Sequence, residues 1–344
     1  MLDPRYAYMS AYLKGEEPKV VTSEHIDRMS RASSIQDSLA IIRETDIGSY
    51  LEELPVKTFD DLDEYLWRYF AQRIRYVESF KLLPGDMLKV SRAYIIKYDV
   101  LNIKAALQGI SSGKKSRIIP LGIIHNNGLL EELFGAEKVD GVIELLINCK
   151  LGGYIPVLEG YEIAGGAKSK LLAEARLDGE YYKSMLSMAK GIRDGSVLSK
   201  ALGLVIDLTN LQIASRAIIE GIGADAAECI IAGGYLITDK AIRDLLSLKL
   251  TDVPHRLQDT QYSDVAKEIS SSYDRTKSIT TVEEIIDKYK FRLLREILSP
   301  RVLSPLVMAW YLVLKEVEIR NLRLLLKAIA DSVPVEEIKR YLVL

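Results

Sequence analysis

Cysteine, histidine, long apolar runs and charge of one sign are all in short supply in this 344-residue chain, and each shortage excludes something. Lys and Arg number 46 against 48 Asp and Glu, a formal net charge of −2, so overall charge gives no reason to expect a polyanion partner. Nor does a basic stripe interleaved with aromatics suggest nucleic acid. The two cysteines, Cys149 and Cys229, lie far apart and outside any CxxC, which excludes a disulfide framework and fits buried free thiols in a reducing compartment. His25, His125 and His255 are scattered, none in an HExxH or beside a cysteine, so each reads as a surface or capping residue rather than a metal ligand. No Gly-x-Ser-x-Gly elbow occurs, and no spacing brings a nucleophile to a base. The N-terminal Met1-Leu2-Asp3-Pro4-Arg5 has no signal-peptide core. The most apolar stretch, 302–314, is broken by Ser304 and Pro305 and stopped by Lys315-Glu316. A membrane span needs roughly 20 apolar residues, so this stretch reads as a buried helix.

What is present is helical periodicity along almost the whole chain. Apolar residues make up 48% of it, enough for a large core. Strand-like alternation is nearly absent; a short piece such as 116–124 could be extended, but too little of this kind exists to make a sheet. Helix starts are well marked. Thr58 precedes Phe59-Asp60-Asp61, with acids in the first turn where they favour the helix dipole. Asp86 opens a run to about Gly109, Ser196 a run to about Gly221, and Thr281 stands before Val282-Glu283-Glu284. Pro334 suits the first turn of a last short helix ending near Tyr341. Three runs, about 87–109, 197–220 and 302–330, are apolar almost all round and must be covered on every side. The fold class expected is all-α.

Each of these three runs carries one pattern: an acid, two residues, Asn, an aliphatic residue, then Lys, Gln or Arg. The copies read Asp99-Val100-Leu101-Asn102-Ile103-Lys104, Asp207-Leu208-Thr209-Asn210-Leu211-Gln212 and Glu318-Ile319-Arg320-Asn321-Leu322-Arg323. The chain has six asparagines, and three of them are here at near-equal spacing, which indicates an internal repeat. Thr58-Phe59-Asp60-Asp61 resembles Thr281-Val282-Glu283-Glu284, each opening the helix before a long one. Three helical units follow: 1–115, 116–222 and 223–344, with peripheral helices free to exchange between them. Acid and Asn, three residues apart, share a helix face. Asn is a mediocre helix former and costly to bury unpaired, so its recurrence points to a hydrogen bond onto a neighbouring helix or loop. Asp99, Asn102, Asp207, Asn210, Glu318, Asn321 and Arg323 are therefore expected to be structural. No catalytic, metal or cofactor site is expected among them.

Other motifs yield to plainer readings. Asp60-Asp61-Leu62-Asp63-Glu64 resembles the aspartate-rich Mg²⁺ motif of helical isoprenoid synthases, a reading that would make Asp60 and Asp61 ligands. Acids in a first helical turn need no metal to explain them, and no second such cluster follows. Gly221-Ile222-Gly223 follows a helix, not the strand a dinucleotide fingerprint needs, so a turn is expected. Gly113-Lys114-Lys115-Ser116 lacks the first glycine of a phosphate loop. The 275–344 stretch holds 13 Lys/Arg against 9 Asp/Glu; a solvated surface and a face toward an acidic partner both fit.

The chain resembles the family of the C subunit of archaeal and bacterial A/V-type ATP synthases, related to the d subunit of the vacuolar ATPase. The resemblance rests on Leu82-Leu83-Pro84-Gly85 followed by Tyr98 and the Asp99–Asn102 pattern, on Tyr6-Ala7-Tyr8, on Glu44 through Leu51, on Leu177-Asp178-Gly179-Glu180-Tyr181-Tyr182, and on the closing 315–323 segment. It runs nearly the length of the chain in order. One departure is that Tyr12-Leu13-Lys14 stands where members commonly carry an Arg-x-Arg pair. The resemblance implies a pseudo-threefold funnel of three helical domains and a non-catalytic central-stalk subunit. It also implies central shaft subunits and the membrane rotor ring as partners, no cofactor, and a peripheral position on the cytoplasmic face, touching the membrane only through the ring. An unrelated protein-binding helical scaffold is the competing reading; its usual repeats of roughly 30–47 residues are far shorter than the spacing here.

Overall fold

The computed structural model describes residues 3–113, 118–161, 166–339 and 341–343. Among these the regular structure is entirely helical, with 18 α-helices, short 3-10 turns and no strand. Three helices dominate, each carrying one copy of the acid-x-x-Asn pattern: Gly85–Ser112, Gly195–Ile219 and Leu306–Ala330. Another long helix precedes each of them: Phe59–Glu78, Gly166–Lys190 and Thr280–Leu298. The Gly113–Ser116 stretch and the expected boundary at 115/116 fall at residues outside those described, apart from Gly113.

Local chemistry sets the helix ends. The Phe59–Glu78 helix starts with a capping box: Asp61 N–H donates to Thr58 Oγ1, and the Asp61 carboxylate accepts from Thr58 N–H. At Ser23–Met29 the histidine takes that part, since His25 N–H donates to Thr22 Oγ1 and His25 Nδ1 accepts from Thr22 N–H. Three helix limits differ from expectation. The third long helix begins at Leu306 rather than 302, because Leu303 has a left-handed φ of 57° and Pro305 cannot donate within a preceding helical turn. Thr281 lies inside its helix, not ahead of it. The last helix, Val335–Lys339, stops short of Tyr341.

The chain divides into two compact units. One comprises Met1–Tyr94, Ile119–Leu121 and Leu294–Leu344, and so is built from both ends of the chain. Its centre is the Leu306–Ala330 helix, packed against Phe59–Glu78 and against the N-terminal helix Pro4–Gly15. Met308, Leu312, Ile319, Leu322, Leu325 and Leu326 are fully buried there. The other unit comprises Ile95–Ile118 and Gly122–Leu293. Its core is the Gly195–Ile219 helix, packed along Gly166–Lys190. This helix is long and apolar enough to cross a membrane, yet it is covered on nearly every side by protein, as an all-round apolar core helix must be. Cys149 and Cys229 are buried free thiols in this unit.

Candidate functional site

The second copy of the pattern shows what it does. Asn210 is 2% exposed, and its carboxamide makes two bonds to one residue: Nδ2 donates to Ile231 O and Oδ1 accepts from Ile231 N, both at 2.8 Å. The side chain pairs with both backbone groups of one residue, as a neighbouring strand would. One turn earlier, on the same face, Asp207 is fully buried. Its carboxylate accepts from Tyr235 N at 3.1 Å, Leu236 N at 2.8 Å and Ile237 N at 3.4 Å, and from the Tyr262 hydroxyl at 2.8 Å. Burial pushes the Asp207 carboxyl up and these donors pull it back. Gly234 lets the backbone come this close, since a Cβ there would overlap the carboxylate. The segment then enters the Asp239–Leu245 helix, capped by Thr238, whose hydroxyl accepts from Ala241 N–H.

The first copy repeats the acid half of this plan. Asp99 and Asn102 are fully buried. Asp99 accepts from Ile123 N at 2.8 Å and Ile124 N at 2.9 Å, the first amides of the short helix Ile123–Asn126. Gly122, at φ 108°, again supplies the close approach; a Cβ there would strike the Asp99 carboxylate. Burial drives the Asp99 carboxyl up to about 6, against the two N–H bonds that lower it.

The third copy departs in one respect. Asn321 pairs with Val343 as Asn210 does with Ile231: Nδ2 donates to Val343 O at 2.6 Å and Oδ1 accepts from Val343 N at 2.9 Å. Glu318, however, accepts from Val21 N at 2.7 Å, a residue from the opposite end of the chain. It also holds Lys315 Nζ at 3.0 Å, and Lys315 is itself fully buried against the Tyr69 ring and hydroxyl. Burial pushes the Glu318 carboxyl up; the Lys315 charge opposes this.

Arg323 pairs with the buried carboxylate of Asp63 and lies over the Trp67 ring, its guanidinium 4.9 Å from the centroid. Sequence reasoning gave Asp63 no such part. The available signal was its position four residues after Phe59 and four before Trp67, on the apolar stripe of its helix. Asp60 is not brought to a ligand cluster, and Asp61 is spent on the capping box, whose Thr58 N–H bond lowers its carboxyl. Among the described residues no group of three or more His, Cys, Asp or Glu side chains could hold a metal. Each long helix thus presents an acid that gathers amides, with a buried Asn one turn on. The arrangement fixes backbone.

A model of the ATP synthase (C/AC39) subunit family matches residues 9–341. The chain belongs to that family. It is similar to the C subunit of the A-type ATP synthase of Methanocaldococcus jannaschii, 25% identical over 98% of this chain and 86% of the relative. The corresponding protein of Pyrococcus abyssi is 25% identical over 97% of this chain and 89% of the relative. That of Methanothermobacter thermautotrophicus is 23% identical over 94% of this chain and 83% of the relative. As a member of this family the chain is a non-catalytic subunit. The matched span takes in all three anchoring acids, Asp99, Asp207 and Glu318.

Proposed function

We propose that this chain is the central-stalk C subunit of an A/V-type ATP synthase, joining the rotating shaft to the membrane rotor ring. Family membership across nearly the whole chain is the observation that carries this reading. On it, the chain is a peripheral part of a membrane complex, on the cytoplasmic face, and meets the membrane only through the ring. It passes torque and leaves ATP chemistry and ion translocation to its neighbours. The three acid-x-x-Asn copies mark three related helical units, about 1–115, 116–222 and 223–344, set in a funnel around a pseudo-threefold axis.

The anchors give this role a physical basis. A part that transmits torque must resist shear between its elements, and packed interiors transmit strain. Asn210 and Asn321 each hold one backbone residue by both its N–H and its C=O. Such two-point pairing resists sliding as well as separation, which apolar contacts alone do not. The decisive experiment is ATP-driven ion pumping by a reconstituted complex carrying Asn102→Ala and Asn210→Ala. Normal assembly with ATP hydrolysis uncoupled from pumping is the expected result. Full coupling would remove the locking role, and failure of the unmodified chain to join shaft and ring subunits would remove the stalk assignment.

A further inference from the structure

The acid anchors hold equivalent segments in register, and this identifies what the N-terminus is. In the second copy, Asp207 holds Ile237, the residue just before Thr238, which caps the following helix. In the third copy, Glu318 holds Val21, the residue just before Thr22, which caps Ser23–Met29. Val20-Val21-Thr22 thus stands to Glu318 as Leu236-Ile237-Thr238 stands to Asp207. Asn321 holds Val343 as Asn210 holds Ile231.

We propose that the third acid-x-x-Asn copy is a peptide-binding clamp whose ligand is the chain's own N-terminal segment, 3–29, acting as a strap that completes the third repeat from the other end. Further bonds hold this strap within the same unit. Lys14 Nζ donates to Ser299 O at 2.6 Å, Trp310 Nε1 donates to Glu17 at 2.8 Å, Leu303 N donates to Ser10 Oγ at 3.0 Å, and Glu16 pairs with Arg73. Tyr6, Met9, Leu13, Ile26 and Met29 bury their side chains. The side-chain chemistry at the clamp suits a ligand from elsewhere in the chain. Asp99 and Asp207 each meet a glycine that allows close approach, whereas the strap has Pro18 at the position that matches Gly234, and the longer Glu318 spans the difference. Lys315 supplies a counter-charge that the other two copies lack. The consequence is that the 3–29 segment and the Leu306–Ala330 helix hold one another within one unit.

Val21→Pro in the full chain removes the one N–H that Glu318 accepts, and Val20, at ψ 161°, already has the extended conformation that a following proline requires. Hydrogen exchange should quicken at least tenfold over 306–322 and change less than twofold over 195–219. Unchanged protection over 306–322 overturns the proposal. If this variant does not fold, a protease site between Arg31 and Ala32 in the full chain serves instead. After cleavage, the 1–31 fragment should co-elute with the remainder, and its loss on dilution should quicken exchange over 306–322. Loss of the fragment with that protection intact overturns the strap.

Discussion

The second and third anchors solve one problem with different means. Around Asp207, everything needed arrives within the next 55 residues: Ile231 for Asn210, Tyr235 to Ile237 for the carboxylate, then Tyr262. Around Glu318, Val343 arrives 22 residues later than Asn321, but the amide for the carboxylate comes from 297 residues away. A short acid with a glycine partner serves the local closure. A longer acid with a lysine beside it serves the closure between chain ends. Side-chain length therefore substitutes for backbone approach, and a counter-charge substitutes for extra neutral donors.

The comparison breaks most readily at Asp207. Asp207→Ala strands the buried Ile237 amide and Tyr262 hydroxyl and two half-exposed amides, and should cost about 3 kcal/mol by denaturant titration, given roughly 1–3 kcal/mol per unpaired buried group less the relief of a desolvated charge. A loss under about 1 kcal/mol would mean that water replaces the carboxylate, and the anchor would be no anchor. Next comes Asn. Asn210→Ala leaves both polar groups of Ile231 unpaired within a continuous segment, an expected loss of about 3 kcal/mol. Asn321→Ala does the same to Val343, which is equally buried, so a similar loss of about 3 kcal/mol is expected. Clearly unequal melting-temperature shifts for the two variants would show that the two carboxamide clamps do different work.

Burial pushes all three anchoring carboxyls up, and Asp99 offers the cleanest test of it. The Asp99 carboxyl sits at about 6 in the folded chain against 3.8 ordinarily, so the folded state binds its proton more tightly than the unfolded state does. The sign is therefore that of a raised pKa: its stabilising contribution is full below 3.8 and is lost as pH rises through about 6. Between pH 4 and 7 this group alone should remove about 2 kcal/mol. Asp99→Asn should abolish that component, so the stability difference between parent and variant should change by that amount across the window. Parallel pH profiles for the two would show that Asp99 titrates in the fold as it does in the unfolded chain.

Much of the fold was legible because it is local. The three long helices follow from apolar residues on every face, and the helix start at Phe59 from Thr58 ahead of first-turn acids. The errors were also local. The apolar run from 302 hid a left-handed Leu303 and a Pro305 that delay the helix to Leu306, because hydropathy does not register backbone dihedrals. Asp63 escaped notice because an acid near a helix start is ordinary; its pairing with Arg323, 260 residues on, helps make its burial tolerable.

The sequence by itself determined that the chain is helical, that its long helices are core helices, and that each carries one buried acid and one buried Asn on a shared face. Those are consequences of period and composition, which act over a few turns. Which backbone each pair holds was decided only by tertiary structure. An amide N–H carries no sequence identity, so nothing in Val21 marks it as the partner of Glu318. The pairing exists because the packed core brings the first residues of the chain onto its last long helix, where an unpaired buried carboxylate would be too costly to keep.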